Sequence, residues 1–166
     1  DRFYDAAPSL NQKFVQPWGS APALDNFTGG DIAGITAGLP HIKALGASAL
    51  YLNPIFKSFS NHKYDTVDYF QIDPTLGEIK DFTGLVSKAH ENGMKIILDA
   101  VFNHTSTDFF AFADAREKGA KSPYAGWYNF KSFPVNMAKP NYDCWWNIGS
   151  MPKLNIKNEK VYEYLL

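Results

Sequence analysis

The stretch from Lys95 to Thr105, Lys-Ile-Ile-Leu-Asp-Ala-Val-Phe-Asn-His-Thr, restricts the possible folds more than any other part of the chain. Its apolar positions run together without alternation, the pattern of a strand buried on both faces, as parallel sheets require. The run then breaks into Asp99, Asn103 and His104, a carboxylate, an amide and an imidazole within six residues. A buried strand ending in such a cluster delivers polar side chains from a rigid element to a site at its carboxyl end. The same residues could instead satisfy backbone groups where the strand leaves the sheet. The segment alone leaves both readings open.

The flanking sequence supplies partners for that strand. Residues 1–30 show no sustained period and are punctuated by Pro8, Pro17, Gly19 and Pro22, which reads as a long loop. Thr36 is placed to cap a helix running to about Leu45, with Leu39, Ile42 and Leu45 on one face and Gly46 at the stop. Pro40 is tolerable there only if it falls near the first turn. Residues 47–53 read as a short apolar strand ended by Pro54, followed by a polar loop over 54–79. Phe82, Leu85, Val86 and Ala89 recur at helical spacing, and Asn92-Gly93 closes that helix just before Lys95. A long excursion over 102–157 precedes a last helix at 158–166.

Helix-to-strand turns are thus minimal and strand-to-helix loops long. In βα proteins the long loops share one end of the sheet and carry the site. The order helix, strand, helix, strand implies two parallel strands with a right-handed crossover. His62, Tyr64, Asp99, Asn103 and His104 are then expected at one mouth.

Composition excludes several classes. A chain of 166 residues that is 45% hydrophobic is expected to form one domain. The net charge of −1, without a basic run, argues against nucleic acid as a partner. No apolar run is long enough to span a bilayer, and the amino terminus does not read as a signal peptide. The lone Cys144 excludes an internal disulfide, and no Cys/His spacing reads as a zinc site. Trp18, Trp127, Tyr128, Tyr142, Trp145 and Trp146 sit among Pro, Asn and Gly, which suggests contact platforms rather than core. Two Asn-x-Thr sequons occur, at Asn26 and Asn103, and the second lies inside the polar cluster.

Five motifs, in order along the chain, resemble the α-amylase family of glycoside hydrolases. They are Gly29-Gly30-Asp31-Ile32 with Gly34-Ile35, the run Leu50 to Phe56, His62-Lys63-Tyr64-Asp65-Thr66, Asp99 to His104, and Met151-Pro152-Lys153-Leu154-Asn155. The last is similar to the neopullulanase, cyclomaltodextrinase and maltogenic amylase branch. The resemblance covers the whole chain and implies an α/β fold, part of a (β/α)8 TIM barrel. Residues 47–53 would be strand two and 95–101 strand three, so that 1–101 form the amino-terminal part of the barrel. Residues 102–157 would be a small domain B excursion, and 158–166 the start of barrel helix three.

A complete barrel of this kind needs roughly 200 residues or more. The family's nucleophilic Asp, its Glu acid/base and its third Asp lie on later strands, so no catalytic residue is expected here and the chain alone is expected to be inactive. What the resemblance assigns is part of a sugar subsite. Tyr64 matches the residue that stacks on the reacting sugar, against the alternative of a core tyrosine. His104 matches a histidine that hydrogen-bonds a hydroxyl of that sugar, and His62 is a weaker candidate beside it. Asn103 matches a position that supports the site and ligates calcium in many amylases, while Asp99 and Asp65 are expected to support from behind. No cofactor is required. Calcium needs six or more oxygens, and the run matching the branch's calcium loop carries Ala7 and Leu10 at ligand positions, so no metal is expected there.

The implied partner is an α-glucan oligosaccharide, with no nucleic acid, no membrane and a homo-oligomer as a further option. A bacterial source is implied, with localisation open between cytoplasm and secretion. Two other readings keep the same motifs: a non-catalytic amylase-like protein such as a transporter-associated heavy chain, and a generic sugar-binding α/β module.

Overall fold

The computed structural model describes residues 29–166 together with Ala6, Gln16, Ser20, Ala21, Asn26 and Phe27. The expectations for most of the first thirty residues, including the calcium-loop positions Ala7 and Leu10, Trp18 and the full Asn26 sequon, lie outside the described residues.

Helix α1, Ile32–Ala44, begins five residues earlier than the Thr36 cap implied. Asp31 is the cap instead, its Oδ1 accepting the Gly34 N–H at 2.6 Å. Pro40 therefore lies inside the helix, where its missing N–H removes the usual i+4 donor to the Thr36 carbonyl. The apolar face also differs from expectation. Ile32 and Leu39 are buried, whereas Leu45 is 73% exposed. Helix α2, Ile79–Glu91, matches its periodicity, with Leu85 and Ala89 fully buried. Its amino terminus is held by the Glu78 N–H donating to Asp81 Oδ2 at 2.7 Å. Gly46 and Gly93 close the two short turns with φ of 84° and 72°, a left-handed backbone that favours glycine.

Strand β1, Ala49–Leu52, lies beside β4, Lys95–Leu98, in parallel, with Ala49 opposite Lys95 and Leu52 opposite Leu98. The parallel pairing follows the expectation; burial on both faces does not. Leu50, Leu52, Ile96 and Leu98 pack with α1 and α2 residues in one hydrophobic cluster. On the opposite face Tyr51 is 61% and Ile97 47% exposed. Among the described residues these two strands form a sheet of their own, with one helical layer covering one face.

Residues 54–79, expected to be a loop, contain an antiparallel hairpin. Strand β2, Phe56–Ser58, pairs with β3, Thr66–Ile72, through an irregular register. A residue just beyond β3 ties the hairpin's two ends together. Asp73 accepts the Ser58 N–H at 3.1 Å and the Thr75 N–H at 3.0 Å, and it pairs with Lys63 Nζ at 2.8 Å. None of this has a periodic signature.

The excursion after β4 carries a second hydrophobic cluster. Helix α3, Phe110–Lys118, contributes Ala111 and Phe112, and helix α4, Glu159–Leu165, contributes Val161. Trp127, Tyr128 and Tyr142 belong to this cluster, buried to 6%, 3% and 2% exposure, so they are core rather than contact platforms. Phe112 meets Tyr128 and Tyr142 edge to face at 5.1 and 4.9 Å. Their Pro- and Gly-rich neighbours build turns around a core, which composition could not distinguish from an open surface. Among the described residues no helix is long and apolar enough to cross a membrane.

Candidate functional site

The hairpin loop between β2 and β3 carries His62, Lys63 and Tyr64 to the carboxyl end of the parallel pair. Three local contacts shape it. Ser58 Oγ donates to Asp65 Oδ1 at 2.6 Å, Ser60 Oγ donates to the same oxygen, and the Lys63 N–H donates to Ser60 Oγ at 3.0 Å. Asp65 is thus the acceptor that gathers the loop's serines. Lys63 adopts φ 61°, an uncommon left-handed conformation for a non-glycine residue, while its ammonium reaches inward to Asp73. The turn at Lys63 points its neighbours His62 and Tyr64 outward, and both are exposed.

Tyr64 is tied at both ends. Its hydroxyl donates to Asp99 Oδ2 at 2.7 Å, and its carbonyl lies 3.1 Å from His104 Nε2. The Asp99 carboxylate, as acceptor of that proton, holds the Tyr64 phenol above the usual tyrosine range. Asp99 is itself placed by the sheet, its N–H donating to the Leu52 carbonyl at 3.1 Å. Tyr51 on β1 also faces Asp99, and its phenol is likewise raised, by desolvation and by that carboxylate. Tyr51 was not picked out from sequence, where it reads only as a strand residue.

His104 is buried, at 5% exposure. Its backbone bridges to Lys153 in the Met151–Asn155 segment, and Leu154 N–H donates to the Asn103 carbonyl at 2.9 Å. Because the Tyr64 carbonyl can only accept, His104 Nε2 carries the proton and Nδ1 is the acceptor for Asn103 Nδ2 at 3.0 Å. Both ring nitrogens are therefore engaged within the chain. Burial pushes the His104 pKa down, partly offset by the Tyr64 carbonyl. A depressed histidine pKa favours folding fully above the unfolded value of about 6.5, and that contribution is lost as pH falls toward the folded value.

His62 has the opposite character. Its Nδ1 accepts the Tyr64 N–H at 3.1 Å, which leaves the proton on Nε2 of an exposed ring. His62 and Tyr64 line a cavity of about 610 Å³ with Tyr51, Asn61, Lys63 and the apolar edge of α1 and β1. Asn103, His104 and Asp99 do not line it. Tyr64, Asp99, Asn103 and His104 do share one end of the sheet, linked by hydrogen bonds, with His104 behind Tyr64 rather than beside it in this cavity. Among the described residues no group of three or more His, Cys, Asp or Glu is placed to hold a metal ion.

Residues 1–166 match the α-amylase catalytic domain. The chain belongs to the α-amylase family. It is 46% identical over its whole length to a cyclomaltodextrinase of Thermoanaerobacter pseudethanolicus and 47% identical to a maltogenic α-amylase of Bacillus acidopullulyticus. A third relative, neopullulanase 2 of Thermoactinomyces vulgaris, is 44% identical. The chain spans 29% of the length of each of these α-amylase family proteins. The cyclic α-maltosyl-(1→6)-maltose hydrolase of Arthrobacter globiformis, solved with maltose, matches 99% of this chain at a TM-score of 0.95 and 45% identity, over 38% of its own length. The motif resemblance thus named the family and its branch correctly, and the chain is part of an α-amylase-type α/β catalytic domain.

Proposed function

We propose that this chain forms part of the sugar-binding subsite of a retaining α-glucan hydrolase acting on cyclodextrins, pullulan or maltooligosaccharides. In this reading β1 and β4 are strands two and three of a (β/α)8 barrel, 102–157 is domain B, and 158–166 opens barrel helix three. The catalytic carboxylates come from residues beyond this chain, since retaining hydrolysis needs two carboxyls about 5 Å apart across the scissile bond. The reading rests above all on Tyr64, a ring held from both sides by residues of the β4 carboxyl end, Asp99 and His104. A platform fixed in this way can stack on the apolar face of a pyranose without losing its own orientation on binding.

Within this site His62 offers the sugar a free Nε2–H donor, whereas His104 holds the Tyr64 backbone and meets a sugar hydroxyl only by exchanging its bond to the Tyr64 carbonyl. Asn103 fixes the His104 tautomer, and Asp65 shapes the loop. Calcium has no role in this proposal.

The test compares the full-length protein with the isolated 166 residues. Full-length protein should release reducing sugar from maltooligosaccharides or cyclodextrins, and the isolated chain should release none. Turnover by the isolated chain would place a carboxylate pair within it. Absence of turnover by the full-length protein, with intact glucan binding, would favour the non-catalytic alternative.

The titration of His104 gives a separate expectation. In the full-length protein the melting temperature should fall as pH drops below about 6.5, and part of that fall should vanish in His104→Gln. The two proteins should converge as the medium becomes more acidic. Parallel curves would show that the buried imidazole contributes nothing to the pH dependence.

A further inference from the structure

We propose that the stacked Trp145–Trp146 pair is a second sugar platform, taking a glucosyl unit of an α-glucan outside the position held by Tyr64. The proposal rests on the α-glucan reading above.

Four observations carry it. Trp146 is 82% exposed, the most exposed of the large aromatic side chains among the described residues. Its ring is nearly parallel to that of Trp145, with centroids 5.1 Å apart and an angle of 10°. Trp146 and Asn147 take φ of 47° and 62°, a left-handed backbone that bulky side chains rarely adopt. Finally, Trp145 packs against His104 with ring centroids 5.6 Å apart, so the pair continues the hydrogen-bonded group that contains Tyr64.

The strained conformation is imposed by the surrounding turn. Trp145 N–H donates to the Met151 carbonyl at 2.9 Å, Ile148 N–H to the Trp145 carbonyl at 2.8 Å, and Met151 N–H to the Ile148 carbonyl at 2.9 Å. A left-handed tryptophan that stacks on Trp145 yet stays 82% exposed among the described residues costs stability and gains little packing, which points to a ligand. The size of the surface selects the ligand. One tryptophan offers about 150–250 Å², far below the roughly 800 Å² per partner of a stable protein interface. A flat ring of that area matches one pyranose face, and Asn147 and Ser150 of the same turn are exposed polar residues. Trp145, wedged between His104 and Trp146, fixes the platform's position relative to Tyr64.

Trp146→Gly in the full-length protein is the informative variant, because glycine accepts the left-handed backbone and the change removes only the ring. The ratio of kcat/KM for maltoheptaose to that for maltotriose should fall about three- to tenfold, with no decrease in Tm. Trp146→Phe should restore part of the ratio. An unchanged ratio overturns the proposal, as does an equal loss on both substrates accompanied by a lower Tm, which would make Trp146 structural. Loss of self-association without a change in glucan preference would assign the ring to a second copy of the chain and likewise overturn it. If the full-length protein hydrolyses no α-glucan, calorimetric titration with maltoheptaose replaces the kinetics. Binding that weakens in Trp146→Gly then supports the platform while refuting the hydrolase reading, and absence of binding refutes both.

Discussion

Replacing Tyr64 with alanine in the full-length protein should lower kcat/KM on maltooligosaccharides by about a hundredfold. The figure combines about 0.5–1.5 kcal/mol of ring stacking with the lost orientation of a sugar distorting toward an oxocarbenium-like transition state. Together these come to about 3 kcal/mol on the barrier. A stacking role by itself implies that Tyr64→Phe would lose little, since the ring is kept. The structure raises that expectation, because the phenol donates to Asp99 at 2.7 Å and phenylalanine leaves that carboxylate short of a donor. A bond to a charged acceptor contributes about 1.5–3 kcal/mol when well shielded. At 38% exposure of Tyr64, water can replace part of it, so Phe should lose tenfold or less. The ordering of Ala below Phe is what checks the stacking role, with Tm measured for each variant. Equal losses in two folded variants would assign the function to the hydroxyl and its Asp99 bond.

Lys63→Met should destabilise the protein by about 3 kcal/mol, near the low end of the 3–5 kcal/mol expected when one partner of a buried ion pair is removed. Lys63 and Asp73 are only 4% and 3% exposed at the side chain and lie 2.8 Å apart. Methionine retains most of the packing, so the loss isolates the charge. Asp73 would keep three donors, the Ser58 and Thr75 N–H groups and the Thr75 hydroxyl, which is why the low end is expected. The double variant Lys63→Met with Asp73→Asn should recover part of the loss, since it removes the second buried charge but sets an amide NH2 against one of the N–H donors that Asp73 now accepts. Activity should suffer as well, because Lys63 sits between His62 and Tyr64 and its inward reach sets their outward direction. Calorimetric melts of the single and double variants test this. A single variant that melts like the parent would show that the hydroxyls and backbone alone hold the loop.

Sequence by itself determined the family, the parallel pairing of the strands at 47–53 and 95–101, helix α2, and the end of the sheet where Tyr64 and Asp99 meet. Those features rest on local signals: a 3.6-residue period over Phe82 to Ala89, the Gly93 stop, and an apolar run ending in polar residues. Tertiary structure alone decided the hairpin of β2 and β3, whose mixed polar and apolar strands lack a clean period and are organised by Asp73 across 15 residues of chain. It also decided which aromatics are core. Trp127 and Trp146 have similar neighbours in sequence, yet one is 6% and the other 82% exposed, because burial depends on what α3 and α4 bring against each ring. His104 shows the same division. Its motif was visible from sequence, but its two occupied nitrogens were not, because one partner is adjacent and the other lies 40 residues away. Local periodicity reports on elements; hydrogen-bond partners and burial belong to the folded whole.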